Sequence, residues 1–515
     1  MLSDSEVTQL TNLIKDSFRI RPNHLPDYVD LSGHLSRFSS KQHQVVFGRR
    51  GSGKSCLFVH FVNDSSANRG VLPIYIEGDE FKRLTYPDLL VRLLLRIFEK
   101  MPDANRKWRR VIRFPTKTQK NIDDLRRILS LADEASIKQT DGTSSEEHAE
   151  VSKGSAKAAG SKSKKHEKQS EFKEKKLDHL ERYLSDYKEA LTTSLTNSKY
   201  DSAYILLDDF YLIPRSRQPD VIAYLHRLVR GTDFYLKIGT VRHRTTIIRN
   251  EENTIGVELH QDVEEISLDR TLEDIESTSQ YLSQMLEAVA LKAGLDSPKE
   301  ALFNPEAFHA LSLASGGVPR DFLNIFVEAI SSSLSDGKEK WLTPTYIWKG
   351  ASRLSYRTKI NNLKDEGVSD SSPLERLYRN IVSFCLKEKR KTAFLVSQEQ
   401  AQEYTAIHEL VQQLMDFKLI HIIEPDTSAA SGRKGRFEAY TLDFSLFMEP
   451  RMRNVVHVEF WKTDSEHRRF GVREAPIYCL KLAEETIHNS DLDKTIEEVL
   501  LEVDDTSEEL GSDSK

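Results

Sequence analysis

Residues 48 to 55 read Gly-Arg-Arg-Gly-Ser-Gly-Lys-Ser and meet the pattern GxxxxGK(S/T) at every fixed position, directly after the apolar run Val45-Val46-Phe47. Glycine at 48, 51 and 53 lets the backbone turn left-handed and come close to a ligand. Successive amides and the start of the following helix can then hold phosphate oxygens. Lys54 is placed to neutralise the outer phosphates of a nucleoside triphosphate, and Ser55 to offer its hydroxyl to Mg²⁺. Cys56-Leu57-Phe58-Val59 continues as the buried face of that helix. The expected phosphate cradle is therefore Gly48, Arg49, Arg50, Gly51, Ser52, Gly53, Lys54, Ser55 and Cys56.

A second half-site follows where a nucleotide-binding domain requires one. Ala203-Tyr204-Ile205-Leu206-Leu207-Asp208-Asp209 is an apolar run ending in two carboxylates, the pattern of a buried parallel strand. Asp208 is expected to hold the metal, directly or through water, and Asp209 to orient or deprotonate an attacking water. Phe234 to Thr240 forms a third such run and leads into Val241-Arg242. Because sites in open parallel sheets lie at the carboxyl ends of the strands, Thr240 and Arg242 are candidates to sense a terminal phosphate; a surface-loop role is the competing reading.

These residues need a scaffold, and the pattern around them supplies one. Val71 to Glu77 reads as a second strand and Tyr86 to Met101 as a leucine-rich helix, giving a βαβ unit; helices are expected at Asn121 to Ala135, Lys175 to Thr196 and Pro219 to Val229. From Glu264 to Leu363 the pattern is helical, an all-α lid in which Ser315-Gly316-Gly317-Val318-Pro319-Arg320 ends one helix and begins the next. Arg320 then projects from a helix start and can couple nucleotide state to the lid angle. Pro373 to Lys387, Thr392 to Val396, Glu403 to Phe417, Leu419 to Ile423 and Phe437 to Phe444 read as helix, strand, helix and β-hairpin, a winged helix. Its loop carries Arg433, Lys434 and Arg436 for a phosphate backbone, with Thr405, His408, Gln412 and Gln413 as the exposed helix face. That face is weakly basic, so duplex DNA and a protein partner are both open as its ligand. A further strand is expected at Val455 to Trp461.

The implied fold class is α/β: a P-loop NTPase parallel sheet with an all-α lid and a C-terminal winged-helix domain. Its segments are a lead-in at 1–37, a core at 38–262 with a lysine-rich insertion near 136–176, a lid at 263–365, the winged helix at 371–480 and a tail at 481–515. Nine lysines against three glutamates between Val151 and Lys176, and the acidic run from Glu484, lack the apolar content to offset chain entropy; the first is a solvated linker or a nucleic-acid contact. A net charge of −6 gives no global nucleic-acid signal. Three scattered cysteines exclude a disulfide framework and a cysteine-rich zinc site; each is expected to be a buried thiol. No apolar run reaches the roughly 18 residues of a membrane span and the first residues carry acids, so no membrane partner and a cytoplasmic location are expected.

Together the phosphate loop, the Leu206-Leu207-Asp208-Asp209 strand, the Thr240-Val241-Arg242 strand end, the Gly316-Gly317-Val318-Pro319-Arg320 helix start and the winged helix resemble AAA+ ATPases of the origin-recognition and replication-initiator type. The resemblance implies ATP and Mg²⁺ as ligands, with Lys54 and Ser55 in Walker A, Asp208 and Asp209 in Walker B, Thr240 as first sensor and Arg320 as second. It also implies ATP hydrolysis coupled to DNA binding or remodelling, and leaves ATP-dependent self-association open. The paired aspartates and the Thr-Val-Arg strand end look equally like STAND ATPases, signalling proteins in which slow hydrolysis resets a switch. Arg244 and Arg249 are candidates by position for a trans-acting arginine finger.

Overall fold

The computed structural model describes residues 1–2, 4–18, 30, 33–68, 70–102, 117–143, 175–250, 253–338, 340–366, 373–430, 432–448, 454–463, 465 and 468–488. Residues 19–29 of the lead-in, most of the lysine tract and the acidic tail beyond 488 lie outside them. Strands β1 (Gln44–Phe47), β2 (Val71–Glu77), β3 (Ser202–Asp208) and β4 (Phe234–Thr240) are followed by a small hairpin, β5 (Ile248–Asn250) with β6 (Thr254–Gly256), and by β7 (Glu264–Ser267). The central sheet is parallel throughout in the order β2-β3-β4-β1-β7.

Every residue of β1 and β3 is buried, which is why both read as unbroken apolar runs and not as alternating ones. The helix Lys54–Asn68 covers one face, packing Leu57, Phe58 and Phe61 against Phe38, Val46, Tyr204 and Leu206. Helices Asp88–Lys100, Leu184–Thr196 and Gln218–Val229 cover the other. Register sets Phe47 beside Thr240 and Glu77 beside Asp208, so the chemistry-bearing residues share one edge of the sheet. Gly239 has to be glycine there, since a Cβ would sit 2.9 Å from Asp208 Oδ1 and 3.0 Å from the Phe58 ring.

The helical pattern expected from Glu264 begins later. Glu264–Ser267 is the fifth strand, bonded to β1, so the sheet extends past residue 262. The lid proper comprises Ile275–Lys292, Pro298–Leu302, Pro305–Ala314, Pro319–Ser335, Pro344–Gly350 and Arg357–Glu366. Prolines 305, 319 and 344 occupy first-turn positions, where a missing N–H costs little, and the Asn304 side chain caps its helix by accepting from the amides of Glu306 and Ala307 at 3.1 and 2.9 Å. The N-terminal helix Ser5–Ser17 inserts Val7, Leu10 and Ile14 among Leu282, Leu286 and Phe322. The lead-in thus completes the lid core.

In the C-terminal domain, helix Pro373–Val382 precedes β8 (Ala393–Ser397), helices Gln398–Glu403 and Thr405–Asp416, the wing strands β9 (Ile420–Thr427) and β10 (Phe437–Leu442), and a short β11 (Ile477–Tyr478) followed by helix Leu480–His488. The sheet order is β11-β8-β10-β9. This is a winged helix with one added parallel strand. The strand expected at Val455 to Trp461 is absent; that stretch makes an isolated bridge, Lys391 to Val456. Among the described residues, no helix is long and apolar enough to cross a membrane.

Candidate functional site

The loop between β1 and helix Lys54–Asn68 is anchored at both ends. The Gly48 amide donates to the Thr240 carbonyl at 3.1 Å, and Ser52 N–H closes a turn on Arg49 O at 3.0 Å. Gly51 and Gly53 take φ values of 93° and 102°, the left-handed region that side chains disfavour. Lys54 is buried with its ammonium on the loop's own carbonyls, 2.6 Å from Gly48 O and 3.3 Å from Arg49 O. Burial lowers its pKa, opposed by the charges of Asp208, Asp209 and Asp269. Ser52 Oγ is buried without a hydrogen-bond partner.

Across the sheet edge, Asp208 is held by two donors, the Tyr75 hydroxyl at 3.0 Å and the Asp209 amide at 2.9 Å. Asp209 then turns left-handed, φ 49°, at the strand tip. Burial and the adjacent Asp208 raise its carboxyl pKa. A cavity of about 340 Å³ opens here, lined by Arg50, Gly51, Gly53, Lys54, Ser55, Asp79, Lys82, Asp209, Tyr211, Leu212 and Arg320. Four segments far apart in sequence therefore face one space: the loop with the start of its helix, the turn after β2, the turn after β3, and the lid.

The lid sits directly on the loop. The Arg320 amide donates to Gly51 O at 3.3 Å, and a Cβ on Gly51 would lie 2.9 Å from Arg320 Cβ. Arg49 faces away from the cavity: its amide donates to Asp269 at 2.7 Å and its guanidinium to Asp269 and to the carbonyls of Arg270 and Gly316, the last at 3.0 Å. Cys56 is buried and also stands off the cavity. Thr240 is buried with its hydroxyl 2.5 Å from Thr245 Oγ1, and Arg242 pairs with Glu265 while stacking 4.3 Å from the Phe47 ring centroid. Neither lines the cavity, because each has found a partner on the neighbouring chain segments. Arg249 is bonded to Asp220 at 3.1 Å and to Ser216 O at 2.9 Å; Arg244 lies 4.5 Å from the Tyr211 ring centroid and 5.8 Å from that of Phe417.

Sequence reasoning missed Tyr75, Asp79 and Lys82. The signal was present, because Gly78-Asp79-Glu80-Phe81-Lys82 begins at the carboxyl end of β2, beside Asp208 in register. It also missed how the C-terminal domain reaches the loop. Lys418 Nζ donates to Asp321 Oδ1 at 3.0 Å and to Arg50 O at 3.3 Å, so one ammonium joins wing domain, lid and phosphate loop. Asp416 accepts the His243 amide at 3.1 Å, Glu409 faces Arg215 at 3.4 Å, and the His421 ring packs on Gly316, where a Cβ would lie 2.1 Å from Cε1. His421 and Lys359 share Asp443, each at 2.7 Å.

The exposed helix face expected at Thr405, His408, Gln412 and Gln413 is only partly exposed. Thr405 faces solvent, but Gln412 and Gln413 are half-buried and His408 bonds Glu438 at 2.8 Å. On the wing, Arg433 and Lys434 are exposed, whereas Arg436 is bonded to Asp426 at 2.5 Å.

No family model and no curated protein matches the chain. Among solved structures it is similar to the Aeropyrum pernix ORC2 protein in ADPNP–ADP complexes (11% identity, TM-score 0.39, covering 82% of this chain and 92% of that one). It is likewise similar to Aeropyrum pernix ORC1 in complex with DNA (12%, 0.35, 84% and 93%) and to Drosophila ORC bound to DNA (12%, 0.35, 86% and 90%). Likenesses this shallow carry no functional weight. The strand order, the loop after β1, the carboxylates after β3, the helical lid and the winged helix make a parallel α/β fold with a phosphate-loop motif at the carboxyl edge of its sheet.

Proposed function

We propose that this chain is an ATP- and Mg²⁺-dependent switch of the AAA+ kind that couples nucleotide state to duplex DNA through its winged helix. The observation that carries the reading is the cavity shared by Lys54 and Ser55 at the start of helix Lys54–Asn68, Asp209 in the turn after β3 and Arg320 of the lid. Phosphate oxygens fit the loop amides and the ammonium of Lys54, which exchanges the carbonyls of Gly48 and Arg49 for a stronger anionic partner. The Ser55 hydroxyl and the Asp208 carboxylate are hard oxygen donors suited to Mg²⁺, which when bound offsets charge on the outer phosphates. Asp209, which lines the cavity at the strand tip, is placed to orient and deprotonate water. Thr240 fixes the loop through its carbonyl, and Arg242 braces β4 against Glu265.

Lid and wing domain would both respond to such a ligand, since Arg320 and Lys418 each touch the backbone of the loop. Exposed Arg433 and Lys434 suit a phosphate backbone. The test is duplex DNA affinity measured by anisotropy with a non-hydrolysable ATP analogue and with ADP. A difference of about tenfold or more, one coupling energy in the usual range, supports the switch. Equal affinities contradict it.

A second reading, a STAND-like signalling switch whose winged helix docks a protein, draws on the half-covered helix Thr405–Asp416. Nucleotide-dependent lid closure without any DNA affinity would favour it.

A further inference from the structure

AAA+ chemistry usually borrows an arginine from a neighbouring subunit, and the two arginines placed by sequence for that role are both engaged within this chain. Arg249 is bonded to Asp220 and Ser216 O, and Arg244 lies over the rings of Tyr211 and Phe417. The cavity, by contrast, holds its own cations. Arg50, Lys54, Lys82 and Arg320 line it against two carboxylates, Asp79 and Asp209.

The adjacent arginines 49 and 50 divide the work. Arg49 is buried and ties the loop to Asp269, Arg270 and Gly316. Arg50 is exposed, lines the cavity, and among the described residues its guanidinium has no hydrogen-bond or ion-pair partner, although its carbonyl is held by Lys418. It lines the same cavity as Asp209. Lys82 approaches the same space from the turn after β2, with its own amide on Asp79 O at 3.4 Å. A fixed backbone with an unpaired side chain aimed at the cavity is the arrangement that stabilises charge developing only when a ligand reacts.

We propose that Arg50 is an arginine finger in cis, seconded by Lys82, so that ATP turnover is completed within one chain. The inference rests on the ATP-binding reading of the same cavity. In the step itself, a water oxygen bonds to the γ-phosphorus while the bond from that phosphorus to the β–γ bridging oxygen breaks; the water proton passes to Asp209, and ADP and inorganic phosphate leave. Arg50 donates to the oxygens that carry the extra charge as the bond breaks.

The test is ATPase activity of the full chain, with binding of a fluorescent ATP analogue measured alongside. Arg50→Ala is expected to lower kcat on the order of a hundredfold with nucleotide affinity within about threefold of the parent, Arg50→Lys to fall between, and Lys82→Met to lose about tenfold. Turnover per chain is expected to stay constant as protein is diluted. Mixing Arg50→Ala with Asp209→Asn separates the geometries: a finger acting in cis gives no recovery, whereas recovered turnover in the mixture shows that Arg50 serves a neighbour and overturns the proposal. Full activity of Arg50→Ala overturns it as well. Failure of the parent to bind the analogue would strike the nucleotide reading instead, a result distinct from either.

Discussion

The nucleotide cradle and the reading helix of the winged domain are both polar surfaces, yet their side chains are disposed in opposite ways. At the cradle, Arg50, Lys82 and Arg320 line an open cavity in which, among the described residues, Asp79 and Asp209 are the carboxylates. Along helix Thr405–Asp416, three polar groups already have partners: His408 on Glu438, Glu409 on Arg215, and Asp416 on the His243 amide. An unsatisfied cluster of cations on a fixed backbone is a surface prepared for an anion, whereas a satisfied one is an internal interface. The helix that would enter a DNA groove is therefore docked on the core, and the wing tip with Arg433 and Lys434 is the part left outward.

The contrast can be broken from several sides. Asp209→Asn should keep ATP affinity and lose turnover on the order of a hundredfold or more, read by single-turnover hydrolysis; equal loss of binding would make the residue structural. Lys418→Met removes the ammonium that joins Arg50 O and Asp321 and leaves Asp321 without its ion-pair partner. Faster amide exchange across 405–416 by about tenfold is expected, with tighter duplex binding; unchanged protection would mean that the helix is held by other contacts. Neutralising Arg433 and Lys434 together should weaken duplex binding regardless of sequence and lower the slope of log affinity on log salt by about two.

The smallest effect concerns pH. Burial, reinforced by the charge of Asp269, pushes Asp416 up to about 7, while the His243 amide and the charges of Arg49 and Arg244 pull it back. A carboxyl whose pKa is raised in the docked state favours docking fully below the ordinary carboxylate range, and that contribution is lost as pH rises through about 7. Protection of 405–416, corrected for intrinsic exchange, should thus decline between pH 5 and pH 8, and Asp416→Asn should flatten the profile. A parent profile already flat would remove Asp416 from the interface energetics.

Much of the core could be read in advance because its signal is local. The expected bounds Val71 to Glu77 and Phe234 to Thr240 coincide with β2 and β4; β4, inside the sheet, is written as an almost continuous buried run, whereas β2, at the edge, buries alternate residues. Glu264-Glu265-Ile266-Ser267 carries one buried apolar residue, so its membership of the sheet depends on β1 lying alongside, which no local pattern reports. Val455 to Trp461 has the opposite fault, strand-like composition without a partner ladder. In the site, the glycine-lysine loop and the carboxylates announced themselves by spacing. Lys418 did not, because a lone lysine after a helix acquires its role only when lid, loop and wing domain converge on it. Gln412 and Gln413, which helical periodicity alone places outside, are half-buried.

The central claim is that the loop from Gly48 to Ser55 grips a polyphosphate through its amides and Lys54. Calorimetric titration of a non-hydrolysable ATP analogue with Mg²⁺ into the full chain and into Lys54→Ala tests it directly. The account predicts one site per chain in the parent and affinity weakened by about a hundredfold or more in the variant, roughly the two or three kcal/mol of a charge-assisted contact. Equal affinities in the two proteins would contradict it.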